Sequence, residues 1–465
     1  MGDRSSIIAS WICSLPENVA EDASSSSIIT KKRKRQQLLS SPPASGVAVE
    51  KALGHRGDHQ EMMASTPKKS CRASLADPDS TPHPGLSRGP IPLLHTSNSS
   101  STPSLSSPPK KQMLNLRLQE PGLEFSALDL NALPPAAREL VSTMTEIGSN
   151  QDILPHAVKS TIMELVNARD PMPRLWRYAF KSAANDEADA LLPGRIPPFR
   201  EVERIARKAN ECQQHHHDEV SWNCTVHAPL LELILEDGHG SLCDEFDALF
   251  CTTARVHPAW KPIWFPGKMI DICVYHAETS QDEDLRAKII RFSRLTPTGT
   301  VNHTDFNPIS ERPLMLSIET KKPGVHWEAA KLQIGIWHAA QWEFLRWAIT
   351  NKLRMQYTND EEQGGIGSVD MSQARKEEHN ATEAKVRSAM SELGFIPGVI
   401  VQGHRWHLVL STYGDRKTKL WADRQFGSTQ TCLESYSVIA GMRRLTAWAR
   451  DIYMPWFRSH ILDNY

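Results

Sequence analysis

The stretch Leu314-Met315-Leu316-Ser317-Ile318-Glu319-Thr320-Lys321 is an apolar strand pattern that ends in an acid and a base two residues apart. Successive side chains of a strand alternate between its faces. Leu314, Leu316, Ile318 and Thr320 therefore point one way, and Ser317, Glu319 and Lys321 the other. A second strand-like run, 268–275, carries one carboxylate, Asp271, among apolar neighbours. A carboxylate in such a run costs free energy unless it is paired or used.

An Asp on one strand and a Glu-x-Lys on its neighbour form a coherent chemical set. Two carboxylates suit a hard divalent cation, since Mg²⁺ takes one or two carboxylates and fills its shell with water and phosphate oxygens. Such an ion polarises a phosphodiester and acidifies an attacking water, while the ammonium of Lys321 orients that water or offsets charge. A plainer reading stands beside this one, in which Glu319 and Lys321 form a strand-end ion pair and Asp271 makes a turn or edge contact.

Further blocks bear on the choice: Trp222-Asn223 with Val226-His227, Val301-Asn302-His303-Thr304, Gln333-Ile334-Gly335-Ile336-Trp337, Val401-Gln402-Gly403-His404-Arg405-Trp406, Gly427-Ser428-Thr429 and Pro455-Trp456-Phe457. Together with Asp271 and the Glu-Thr-Lys triplet they make the chain resemble, over about 219–456, the PD-(D/E)XK nuclease superfamily and within it a fungal nuclease-like domain. The resemblance implies an α/β, restriction-endonuclease-like sandwich: a small mixed central sheet flanked by helices. It maps Asp271, Glu319 and Lys321 onto the catalytic triad, with Mg²⁺ or Mn²⁺ as cofactor and nucleic acid, DNA rather than RNA, as partner. Glu219, at the start of the first core helix, is the candidate for a further acid near the metal. Gln333 with Trp337 resembles the Q-x-x-x-Y element of RecB-like branches, with Trp where Tyr is expected. His303, His404 and Arg405 are candidate substrate contacts. The alternative function is an inactive nuclease-fold module that binds nucleic acid or protein; a plain α/β scaffold recruited through its tail is the third.

The composition is uneven along the 465 residues. Residues 1–125 are rich in Ser, Pro and small polar side chains and cannot bury enough surface to offset their ordering entropy, so they are expected to form a disordered tail. Residues 126–212 are expected as a helical lead-in and 213–465 as the nuclease-like domain. The basic run Lys31-Lys32-Arg33-Lys34-Arg35 fits an importin-read signal, and a nuclear, soluble, intracellular location is expected. An apolar patch, 7–16, places Ile7, Ile8, Trp11, Ile12 and Leu15 on one helical face. A net charge of -1 confines any nucleic-acid surface to a local patch. Eight scattered cysteines, without a C-x-x-C pair, argue against zinc modules and a disulfide scaffold. No apolar run approaches the roughly 20 residues that span a bilayer.

In the ordered half, helices are expected after Pro134, between 153 and 166, over 199–212, over 218–235 and over 326–349, and a final helix over 434–453. Asn223 and His227 fall on the apolar face of the 218–235 helix with Val226, Leu230 and Ile234. Strands are expected near 248–256, at 268–275 and 314–321, as a pair near 395–410, and at 419–421. Residues 277–300 are expected as an insertion or a long hairpin and 358–385 as a surface insertion, and Arg443, Arg444 and Arg450 as residues that could meet phosphates.

Overall fold

β4 (Leu314–Lys321) spans the residues that the alternation marks, and seven of its eight are buried. A strand covered on both faces belongs in the middle of a sheet. Each Leu or Ile taken out of water contributes about 1.5–3 kcal/mol, so Leu314, Leu316 and Ile318 tie the strand firmly into the core. The computed structural model describes residues 108–236, 246–261, 270–277, 282–363 and 371–463. The basic run 31–35, the apolar patch 7–16 and most of the expected tail lie outside the described residues.

β4 is one strand of a mixed seven-stranded sheet that also contains β1 (Gly122–Ala127), β2 (Phe246–Phe250), β3 (Ile272–His276), β5 (Ile396–Gln402), β6 (Arg405–Gly414) and β7 (Lys417–Ser428), in the order β1-β7-β6-β5-β4-β3-β2. β4 pairs antiparallel with β3 and parallel with β5, and β1 pairs parallel with β7. Asp271 stands one residue ahead of β3, where the backbone N–H of Cys251 donates to its carbonyl at 2.9 Å. Antiparallel pairing of β3 brings that end beside the carboxyl end of β4, since Ile272 lies opposite Ile318. Among the described residues the carboxyl ends of β4 and β5, the start of β6 and the end of β7 share one edge of the sheet, with Lys321 opposite Gln402, Gln402 opposite Arg405 and Arg405 opposite Ser428.

Helices flank the sheet. They include α1 (Pro109–Arg117), α2 (Pro135–Gly148), α3 (Lys159–Arg169), α4 (Asp186–Ala190), α5 (Phe199–Gln214), α6 (Glu219–Trp222), α7 (Ala228–Leu235), α8 (Glu283–Ser293), α9 (Trp327–Gln363), α10 (Met371–Leu393), α11 (Cys432–Trp448) and α12 (Met454–Phe457). α9 crosses β1, β4, β5 and β7, α2 and α11 pack on β7, and α5 packs on α11. Three expectations change. α1 and the first four residues of β1 lie inside the segment expected as tail, and β1 completes the sheet that carries the site. The charged stretch after β3 folds into α8, capped by Asp282, whose Oδ1 accepts from the Leu285 N–H at 2.9 Å. The polar stretch after residue 358 contributes the end of α9 and most of α10, because Val386, Ala389, Met390 and Leu393 recur at helical spacing and are buried. No helix among the described residues is long and apolar enough to cross a membrane.

Candidate active site

The shared sheet edge brings together Asp271, Glu319 and Lys321, and α6 adds Glu219. α6 starts where it does because Asp218 caps it, its Oδ1 accepting from the Ser221 N–H at 2.8 Å. From α6 the chain passes through a π turn, Asn223–His227, into α7. Pro229 explains the turn: it has no N–H to give the carbonyl four residues earlier, and the Ala228 N–H bonds instead to the carbonyl of Asn223.

Glu319 is completely buried, and neither of its carboxylate oxygens accepts a hydrogen bond. Its partner is the ammonium of Lys321, 2.6 Å from Oε1, in an ion pair that lacks hydrogen-bond geometry. The Lys321 side chain, 11% exposed, donates to the carbonyl of Thr320 at 2.7 Å and approaches Glu219 Oε1 at 3.4 Å. Asp271 uses one oxygen, Oδ2, for two hydrogen bonds, from the Thr320 N–H at 2.8 Å and the Thr320 hydroxyl at 3.0 Å. Its other oxygen, Oδ1, stands outside both.

The charges respond to this crowding. Burial pushes the Glu319 carboxyl well above the ordinary range, and repulsion from Asp271 adds to the rise while Lys321 opposes it. Burial also raises Glu219, with Lys321 pulling it down and Asp271 pushing it up. Burial disfavours the charge on Lys321, but Glu319, Asp271 and Glu219 outweigh that cost, and its pKa rises above the usual lysine value. Lys321 is therefore a cation at neutral pH, held among three carboxylates.

Other expected site residues fall differently. His303 is not a substrate contact: it is 1% exposed, its ring meets Trp337 edge-on at 4.5 Å, and burial lowers its pKa to about 3, so it is a neutral core histidine. Gln333 lies half-buried on α9, and since neither oxygen of Glu319 accepts a hydrogen bond, its amide does not anchor that carboxylate. Glu219 turns toward Lys321, and among the described residues no three His, Cys, Asp or Glu side chains gather to hold a metal ion, so it does not complete a three-carboxylate set. His404 and Arg405 stand at the rim, His404 half-buried with Nδ1 3.2 Å from the Thr429 hydroxyl and Arg405 exposed. Arg443 is a structural residue, donating to Asp189 and to the carbonyls of Asp189, Leu192, Pro193 and Gly194.

The family model described as PD-(D/E)XK nuclease superfamily matches residues 165–454, more than half of the chain. The chain belongs to the PD-(D/E)XK nuclease superfamily. No curated protein and no solved structure matches it. Membership makes a nuclease-type function the coarse assignment, and the E-T-K triplet of β4 with Asp271 beside it supplies the D…ExK pattern of the superfamily's name.

The donor set fits a divalent cation. A fully buried carboxylate whose oxygens accept no hydrogen bond is costly unless a cation satisfies it. Glu319 Oε1 meets the Lys321 ammonium and its Oε2 has no hydrogen-bond partner, while Asp271 keeps Oδ1 outside its hydrogen bonds. Two carboxylates suffice for Mg²⁺ or Mn²⁺, which complete their shells with water and substrate oxygens. Thr320 was the residue hidden from the sequence: alternation assigns it to the face away from Glu319, yet both its N–H and its hydroxyl hold Asp271. A hydroxyl residue between the Glu and Lys of the triplet was the available signal.

Proposed function

We infer that this chain is a divalent-metal-dependent nuclease that hydrolyses phosphodiester bonds in DNA, with Asp271, Glu319 and Lys321 as its catalytic set. The observation that supports it most is Glu319: buried, with Oε2 accepting no hydrogen bond, Oε1 met by the Lys321 ammonium, and its charge opposed by Asp271. Such an arrangement is poor for stability and suited to a cation and a phosphate. A bound Mg²⁺ or Mn²⁺ would polarise the scissile phosphate and acidify the attacking water.

Asp271 and Glu319 would hold the ion. Lys321, whose pKa the three neighbouring carboxylates raise, would orient the attacking water or offset charge on the phosphate as the transition state forms. Glu219 steers the ammonium from the α6 side. Arg405, exposed at the rim, would meet a backbone phosphate. The run 31–35 fits importin recognition and with it a nuclear site of action, tested by the distribution of a fluorescent fusion with and without those residues.

The deciding experiment incubates the full chain with linear, circular and branched DNA, and with RNA, in Mg²⁺ or Mn²⁺. EDTA and the Lys321→Ala and Asp271→Ala variants are the controls. Cleavage that is lost in every control supports the assignment. Salt-sensitive binding without cleavage, unchanged in both variants, would overturn it in favour of a binding module.

A further inference from the structure

Behind Asp271 a line of buried polar groups runs through the protein to the opposite side of the π turn. The Thr320 hydroxyl lies 3.0 Å from Asp271 Oδ2 and 2.9 Å from Asn223 Nδ2. Asn223 Oδ1 lies 2.9 Å from His227 Nδ1, and His227 Nε2 lies 2.9 Å from the carbonyl oxygen of Gly403. Thr320 is fully buried and His227 is 1% exposed, with the imidazole stacked on Trp222 and set edge-on to Trp406. His404 is the titratable group whose charge faces it.

Counting hydrogens along this line shows that one of its contacts must go without. Both ends, the Asp271 Oδ2 that accepts from Thr320 and the Gly403 carbonyl, only accept. Four contacts need four hydrogens, but a neutral imidazole, one amide N–H and one hydroxyl supply three. Burial lowers the pKa of His227 to about 4, so the fourth is missing at neutral pH. If the Thr320 hydroxyl donates to Asp271, then Asn223 donates to Thr320, His227 carries its hydrogen on Nδ1, and the Gly403 carbonyl goes without. If Nε2 carries the hydrogen and serves Gly403, Nδ1 faces Asn223 Oδ1 with no hydrogen between them; relieving that contact requires the amide to turn over, which takes the donor from the Thr320 hydroxyl, turns that hydroxyl to Asn223 and costs Asp271 one of its two donors.

We propose that Asn223 and His227 are positioning residues for the metal site, which hold the Thr320 hydroxyl on Asp271 Oδ2 and so leave Oδ1 aimed at the ion. The proposal rests on the metal-dependent reading of Asp271 and Glu319. Only the Nδ1–H tautomer donates to Asn223 Oδ1 and so holds the amide with its N–H toward Thr320, which distinguishes the relay from a polar plug in the core. A plug needs its volume and its pairing, not a direction.

The test measures Mn²⁺ binding to the full-length protein by titration calorimetry, with Asp271→Asn identifying the site. Thr320→Val, which keeps the shape and removes the hydroxyl, is expected to weaken binding about 10–100-fold, the usual effect of losing an outer-shell partner. His227→Asn places an amide N–H near the Nδ1 position and is expected to stay within about threefold of wild type. His227→Gln reaches toward Gly403 instead and is expected to bind as weakly as Thr320→Val. Equal affinities for the Asn and Gln variants, or wild-type affinity in Thr320→Val, would overturn the proposal while leaving the nuclease reading intact. If the wild-type protein binds no Mn²⁺ that Asp271→Asn abolishes, both fall. Should the His227 variants not fold, the near-isosteric Thr320→Val decides alone.

Discussion

Replacing Lys321 with Met in the metal-free protein removes the cation that, among the described residues, touches Glu319, and keeps most of the side-chain volume. Removing one partner of a buried ion pair typically costs about 3–5 kcal/mol, because the other charge is left uncompensated. Glu319 has an alternative, since burial has already pushed its pKa up, and it can take a proton. Each pH unit of difference is worth about 1.4 kcal/mol, so protonation caps the cost at low pH and fails to cap it at high pH. The sign follows from linkage: an acid whose folded pKa lies above its unfolded value binds a proton on folding, and stability falls as pH rises through that window. The window opens at the ordinary Glu value of 4.5 and, without Lys321, extends further upward than in wild type. The expected loss is about 1 kcal/mol near pH 6, mostly the hydrogen bond to the Thr320 carbonyl, rising toward about 3–5 kcal/mol near pH 9. Urea unfolding in EDTA at several pH values, wild type and variant in parallel, measures it. A loss that does not change with pH, or one below about 1 kcal/mol at the alkaline end, would refute the electrostatic account of the site.

Other consequences are open to the same treatment. Mn²⁺ affinity of the wild-type protein should rise with pH through the raised Glu319 pKa, because the ion displaces a proton there; calorimetry in buffers of different ionisation enthalpy would detect the released proton, and none released would contradict the prediction. Arg443→Ala should destabilise the fold by about 3–5 kcal/mol, since it leaves buried Asp189 with Lys181 alone, and Arg443→Lys should recover only part of that because an ammonium cannot match the guanidinium fork. Gly403→Ala should cost about 2 kcal/mol or more in chemical denaturation: the residue has φ 57°, and a Cβ there would lie 2.4 Å from Pro323 Cγ. Since the Gly403 N–H donates to the Lys321 carbonyl at 2.9 Å, cleavage should also fall in that variant.

What could be read from the sequence was what period and composition encode. β4 is found with both its boundaries because apolar alternation and a terminal acid–base pair mark it, and Asp271 stands out as the lone charge in an apolar run. β1 escaped because six residues between a Pro and a polar turn carry no periodic signal of their own; its pairing with β7 comes from nearly 300 positions later in the chain. α10 escaped because its polar surface outweighs the few side chains it buries. His303 was misread because a polar block next to a site looks the same whether it faces substrate or core, and only the packing of Trp337 separates the two. The Asn223–His227 pair was visible as an i, i+4 polar pair on an apolar face, but its link to Asp271 passes through Thr320, which no spacing rule connects to either.

The place of β1 in the sheet bears on how the molecule can be divided. The family match opens at residue 165, whereas the first strand opens at Gly122 and pairs with β7 from Lys417 to Ala422. A fragment cut to the matched region would strip that partner away and turn β7 into a long bare edge with Trp421 beside it, the kind of strand that recruits other chains. Such a fragment is expected to self-associate, and one that begins ahead of α1 to remain monodisperse, so the working boundary of this nuclease fold lies upstream of where likeness to its family begins.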